Sequence, residues 1–180
     1  SNDRNVALSY LMRSLGMLHG NIEDNLYVYL AACSVTVTAA ELSTMAATLA
    51  RGGANPFTGV PALPRTYTRD VLSVMSMCGM YDAAGQWAYE VGIPAKSSVS
   101  GAILAAIPDA IGVGVYSPGL DRHGNSVRGV AVCRELSDRF GLHVFADPSE
   151  SRLGRIVRPG RREEATEMYP SGDGWLPDGF

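Results

Sequence analysis

Lysine is all but missing from this chain: fourteen of its fifteen basic residues are arginine, and Lys96 stands alone. Charge as a whole is scarce. Acidic and basic residues fill 18 % of 180 positions, against roughly 25 % in an average soluble domain. The formal net charge is −3, so no basic field exists to hold nucleic acid or an anionic membrane surface. Long apolar runs are lacking too. None approaches the roughly 20 residues of a membrane span, and the opening residues carry no signal-peptide pattern. Cysteine is confined to Cys33, Cys78 and Cys133, an odd number, widely spaced, each inside an apolar helical pattern. They read as small core residues in a reducing, cytoplasmic compartment, not as disulfide partners or metal ligands. His19, His123 and His143 show no pair at metal-ligand spacing, so neither a metal nor a cofactor is expected. What the chain does have is apolar material, 46 % of it, enough for the core of one domain or one large lobe.

The order of its patterns gives the organisation. Leu8, Leu11, Met12, Leu15 and Leu18 follow the three-four spacing of a helix face, with a stop signal at Gly20-Asn21. A second helix is expected from Asp24, with Leu26, Tyr29, Leu30 and Cys33 on one side. Thr38 and Glu41 have capping-box spacing ahead of a third helix facing inward through Leu42, Met45 and Leu49 and stopping at Gly52-Gly53. Pro56, Pro61 and Pro64 make residues 54–65 a loop. A fourth helix turns Val71, Leu72, Met75 and Cys78 inward and breaks at Gly79, and a short fifth carries Trp87, Ala88 and Val91 to Gly92. The period then changes. Ala102 to Ile107 is an apolar run, and Ile111, Val113 and Val115 alternate with glycines beyond Pro108-Asp109. That is the signature of an antiparallel hairpin, and its glycines admit close packing against the sheet. Asn125 or Ser126 can cap a last helix carrying Val130, Cys133, Leu136 and Phe140. From about Asp147 the chain turns to arginine, glutamate, glycine and proline. The expected division is therefore a folded part over 1–146 and a polar tail or linker over 147–180. Helices followed by a hairpin and a helix give the α+β class.

Pattern singles out few residues for chemistry. A chain that uses arginine almost everywhere has kept one lysine, in Gly92-Ile-Pro-Ala-Lys-Ser97, where a strand is expected to begin. An ammonium is a compact point charge whose pKa can be tuned, which guanidinium is not. Lys96 could hold an anionic substrate group or set the charge near a nucleophile; the plain alternative is an exposed charge at a strand start. Tyr81 follows a helix break, where a phenol can project into a cleft or simply pack. Tyr29 sits on the expected apolar face of its helix, and Asn5 opens one, where a cap is the ordinary role. No Gly-x-Ser-x-Gly elbow, phosphate loop or Ser-x-x-Lys occurs; the residue three before Lys96 is Ile93.

Longer stretches carry a resemblance. Asp3-Arg4-Asn5 with Ala7-Leu8, Met45 to Pro56, and Val71 to Asp82 are similar, in order, to the C-terminal portion of the serine-dependent glutaminases. So are Gly92 to Ser97, Tyr116-Ser-Pro118 and Gly124-Asn-Ser-Val-Arg-Gly129; the similarity runs over residues 3 to 145. It implies a β-lactamase and penicillin-binding-protein-like fold and hydrolysis of L-glutamine to L-glutamate and ammonia. In that family the serine of a Ser-x-x-Lys motif forms a glutamyl ester that water cleaves. By the same resemblance, Asn5 holds the α-amino-acid end of the substrate and Tyr29 carries a proton for the leaving ammonia. Tyr81 contacts substrate, the Val99 backbone N–H completes an oxyanion hole, and Lys96 supplies charge near the site. Two departures stand out. The family's Lys-Ser-Gly-Val is Lys96-Ser97-Ser98-Val99 here, with Ser100 following, and a serine in place of glycine restricts the backbone at the pocket edge. The family's Ser-x-x-Lys, a second substrate asparagine and a glutamate would precede Ser1. The expected partners are thus L-glutamine, an upstream lobe with the nucleophile, and further copies in a homo-oligomer, with no nucleic acid and no membrane. Two alternatives remain open: a penicillin-recognising serine acyl-transferase of the same fold, and an inactive fragment acting as a scaffold.

Overall fold

A computed structural model describes residues 3–147; the tail expected over 147–180 lies, apart from Asp147, outside the described residues. The chain divides between Thr38 and Ala39 into two compact units.

The first unit is a helix pair, α1 (Asp3–Ser14) and α2 (Ile22–Cys33). The expected stop at Gly20 comes one turn early. Gly16 takes a φ of +71°, its N–H reaches the Arg13 carbonyl and the Met17 N–H reaches Met12. This pairing of the last carbonyls through a left-handed residue ends a helix wherever glycine permits it. Asn21, read above as part of a stop, instead begins α2: its Oδ1 accepts the Glu23 N–H at 2.7 Å and lies 3.4 Å from the Asp24 amide. Within this unit Ile22 is the buried residue of α2 and α1 has none. Cys33 is exposed, contrary to its expected core position.

The second unit is built on a three-stranded antiparallel sheet in the order β1 (Ala95–Ser97), β2 (Ala102–Ile107), β3 (Ile111–Tyr116). The hairpin expected from the apolar run and the glycine alternation is β2–β3, in register from Ala102↔Tyr116 to Ile107↔Ile111. Lys96-Ser97 ends β1, with Lys96 opposite Leu104 and Ser97 opposite Ile103. Facing residues of paired strands share a side of the sheet. Ser97, Ile103 and Val115 therefore point one way, and Lys96, Leu104 and Gly114 the other.

Helices cover both sides. On one, α3 (Ala39–Ala50) lies against β3 and β2. Its contact is made by small residues: a Cβ at Gly112 would overlap the Ala46–Ala47 backbone, and one at Gly114 would press on Ser43 and Ala39. The glycines of β3 do admit close packing, and the occupant is α3. The same fact corrects the expected inner face, because Ala46 and Ala50 are buried while Met45 is 51 % exposed. On the other side α4 (Arg65–Cys78), α5 (Ala84–Glu90) and α6 (Val127–Phe140) enclose the main core. Met80, Trp87, Val91, Ile93, Ile103 and Cys133 are buried there. The Trp87 indole N–H donates to the Ile93 carbonyl at 2.6 Å. In α4 the buried positions are Thr68 and Met75, followed by Gly79. Val71 and Cys78, expected to face inward, are exposed. Gly79 explains the rotation: a Cβ there would overlap the Ala95 carbonyl, so the helix approaches β1 through backbone and not through its bulky residues. The Ser97 N–H donates to the Gly79 carbonyl at 2.9 Å, which closes the free edge of β1. The N-cap of α6 is Ser126, the second of the two expected candidates, its hydroxyl accepting the Gly129 N–H at 3.1 Å.

Candidate active site

The junction of α4 with β1 builds the most constrained polar site of the second unit. After Gly79 the chain makes a tight 3-10 turn over Tyr81–Ala83, and Tyr81 enters it with a φ of +53°. Left-handed backbone is unfavourable for a bulky residue and persists only where surroundings enforce it. Two contacts do so. The Asn125 amide donates to the Met80 carbonyl at 3.2 Å, holding the residue before Tyr81, and the Tyr81 phenol donates to the Ser97 carbonyl at 3.1 Å.

Lys96 converges on the same point. Its ammonium donates to the Ser97 carbonyl and lies 4.5 Å from the centre of the Tyr81 ring, within cation–π range. Strand alternation makes this possible. Ser97 points into the core and is fully buried, while its neighbour Lys96 is exposed, and the Ser97 carbonyl, in the peptide leading to Ser98, accepts from both the ammonium and the phenol. The Ser97 hydroxyl and the Asn125 Oδ1 are buried without a hydrogen-bond partner.

Val99 occupies the turn between β1 and β2. The Gly101 N–H donates to the Ser98 carbonyl at 3.0 Å and the Ser98 N–H to the Ala102 carbonyl at 2.9 Å. Val99, between these two bonded residues, is 70 % exposed. Gly124 backs the group: a Cβ there would lie 3.6 Å from Val99 Cγ1 and 3.7 Å from the Tyr81 ring. Tyr81, Lys96 and Val99, named separately from the sequence, thus share one small region. It presents a positive charge and a phenol beside an exposed turn, a set suited to an anionic group or to a carbonyl gaining negative charge.

Asn5 and Tyr29 belong to the first unit. Asn5 lies inside the first turn of α1, not at its cap, and its carbonyl accepts the Ser9 hydroxyl at 2.8 Å. Tyr29 is in the last turns of α2, about half exposed. Asn125, expected as a possible cap within the stretch 124–129, has a different role. Its buried amide, bonded across 45 residues to Met80, supports Tyr81, and no local pattern marks such a contact. No group of three His, Cys, Asp or Glu able to hold a metal occurs among the described residues, and no helix among them is long and apolar enough to cross a membrane.

Comparison with known proteins bears on the chain as a whole. A family model described as Glutaminase matches residues 1–145. The glutaminase of Microcystis aeruginosa is 52 % identical over 145 residues, covering 81 % of this chain and 43 % of that protein. The glutaminase of a Nostoc species is 54 % identical over 142 residues, covering 79 % of this chain and 42 % of that protein. The chain therefore spans less than half the length of these curated relatives. Among solved structures, Mglu in its glutamate form superimposes with a TM-score of 0.76 at 50 % identity, over 81 % of this chain and 34 % of that one. A Bacillus glutaminase superimposes with a TM-score of 0.77 at 32 % identity, over 81 % and 50 %.

Proposed function

The chain belongs to the glutaminase family, and from that premise we propose that it supplies the substrate-binding and oxyanion-stabilising part of an enzyme hydrolysing L-glutamine to L-glutamate and ammonia. Its helices and antiparallel sheet are part of the β-lactamase-like α+β fold that the family shares. The observation that carries the functional reading is the convergence of Tyr81 and Lys96 on the Ser97 carbonyl, two residues before the exposed Val99.

Amide hydrolysis through an ester needs four services: a nucleophile, a donor for the tetrahedral oxyanion, a proton for the leaving amine, and a hold on the rest of the substrate. These 180 residues contain no Ser-x-x-Lys, so the nucleophilic hydroxyl comes from an upstream lobe. It attacks the side-chain carbonyl carbon of glutamine, and the carbonyl oxygen gains negative charge that the Val99 N–H receives. Collapse of that intermediate breaks the C–N bond; Tyr29 carries the proton to the departing ammonia. Water then attacks the ester, the oxyanion forms again at the same donor, and glutamate leaves. By the resemblance, Asn5 takes the α-amino-acid end of the substrate, and Tyr81 contacts the substrate. Lys96 keeps the field positive where negative charge develops, without itself bonding the reacting atoms.

The odd count and wide spacing of the three cysteines support a cytoplasmic setting, and the family resemblance supports a homo-oligomer. The deciding assay is ammonia release from L-glutamine by the enzyme carrying both lobes, run beside a chromogenic β-lactam. Turnover of glutamine alone supports the reading. Turnover of the β-lactam alone would replace it with a penicillin-recognising transferase.

A further inference from the structure

The turn that carries the Val99 N–H is held by a pair of hydroxyls. Ser98 Oγ lies 2.9 Å from Ser100 Oγ and accepts the Ser100 backbone N–H at 3.2 Å. A serine hydroxyl bonded to the amide two residues on fixes the intervening peptide, and here that residue is Val99. The backbone around it is tied on both sides. The Ser98 amide and carbonyl are engaged by Ala102 and Gly101, and the Gly101 carbonyl accepts the Ser117 N–H at 2.9 Å. The positive φ of the turn falls on Gly101, at +97°, where a Cβ would press on the Ser117 carbonyl. Ser98 has no positive φ, so a side chain is accommodated there without backbone strain, and its hydroxyl is free to work.

We propose that Ser98 is a positioning residue whose hydroxyl, shared with Ser100, locks the turn so that the Val99 N–H is held ready for the oxyanion. This rests on the role given above to Val99. It implies that a donor which catalysis requires to be fixed in advance is fixed here by side chain as well as by backbone. Because the lock acts on charge that develops only in the transition state, its loss falls on kcat and leaves KM nearly unchanged.

The test compares Ser98→Ala, Ser98→Thr and Ser100→Ala in the enzyme carrying both lobes, and follows hydrogen exchange at the Ser100 amide in the same proteins. Ser98→Ala should lower kcat about five- to tenfold with KM within twofold, well short of the hundredfold or more of losing an oxyanion donor outright. Exchange at Ser100 should quicken in parallel. Ser98→Thr, which keeps the hydroxyl, should restore both, and Ser100→Ala, which keeps the acceptor for the Ser100 amide, should cost less than Ser98→Ala. An active parent enzyme whose Ser98→Ala variant keeps its kcat would overturn the proposal while sparing the glutaminase reading. So would an equal loss in Ser98→Ala and Ser98→Thr, which would mean that packing and not the hydroxyl matters. A parent without glutamine turnover would sink the functional reading, and unaltered Ser100 exchange in Ser98→Ala would independently dispose of the lock.

Discussion

Two side chains show how environment decides what a residue type can do. Lys96 is the one lysine in a chain of arginines, and its ammonium sits between the Tyr81 ring and the Ser97 carbonyl. Were it only an exposed charge at a strand start, Lys96→Arg would be silent. A guanidinium is wider, planar and always protonated, and it cannot occupy the same corner while leaving Tyr81 on the Ser97 carbonyl. We predict a loss of at least about tenfold in kcat/KM in the two-lobed enzyme, or roughly 1.4 kcal/mol of transition-state stabilisation, with little change in Tm. Full activity in Lys96→Arg would remove it from the site. Cys133 is the opposite case, a potential nucleophile silenced by burial, which pushes its thiol from an ordinary 9.0 up to about 12. The sign of the stability effect follows. Below about pH 9 the thiol is neutral in both states. Above it only the unfolded chain releases the proton, so stability is lost as pH rises toward 12, by at most about 4 kcal/mol. Denaturant unfolding of wild type and Cys133→Ala between pH 8 and about 11 should therefore converge with rising pH. Parallel curves would mean that the thiol ionises while folded.

At the level of elements, the second unit depends on helices that approach the sheet through backbone. Gly112 is one such position, because a Cβ there would meet the Ala46–Ala47 backbone of α3, which no rotamer change can relieve. Gly112→Ala should cost about 1–3 kcal/mol and lower Tm by several degrees, at about 2–4 °C per kcal/mol for a chain of this size. Gly85→Ala in α5 has open space around it and should be neutral or slightly stabilising; thermal unfolding of the two variants makes the comparison. The same feature explains where the sequence could be read and where it misled. The β2–β3 hairpin was legible because strand alternation and turn residues are local signals. The α6 cap was legible for the same reason. The inner faces of α3 and α4 were legible only in part: Met75 is buried as expected, but bulky periodicity also marked Met45, Val71 and Cys78, which are exposed, while Ala46, Ala50, Thr68 and Gly79 are buried. Where two backbones touch, the smallest residues face inward, and a reading that follows bulk selects the wrong stripe. Within the site, the lone lysine is visible in composition. The bond of Asn125 to Met80 is not, since it joins residues far apart in the chain.

On the scale of the whole molecule, the residues proposed for function fall in two places. Tyr81, Lys96 and Val99 are in the second unit, Asn5 and Tyr29 belong to the first, and in the proposed reaction the nucleophile comes from neither. The absence of any Ser-x-x-Lys from the 180 residues is independent of how the chain folds. The curated relatives are matched over 42 to 43 % of their length, which leaves ample room in such proteins for the missing group. Binding and oxyanion donors without a nucleophile leave only the uncatalysed attack of water, and residual catalysis from such groups alone is small beside a complete site. We therefore predict that a purified 180-residue chain, its mass verified under native and denaturing conditions, releases no ammonia from glutamine above the uncatalysed background. Joining or adding the upstream lobe with its Ser-x-x-Lys should bring turnover, and replacing that serine by alanine should abolish it again. Ammonia release by the verified chain alone would show that its nucleophile lies among these residues, and the division of labour between the two lobes would have to be given up.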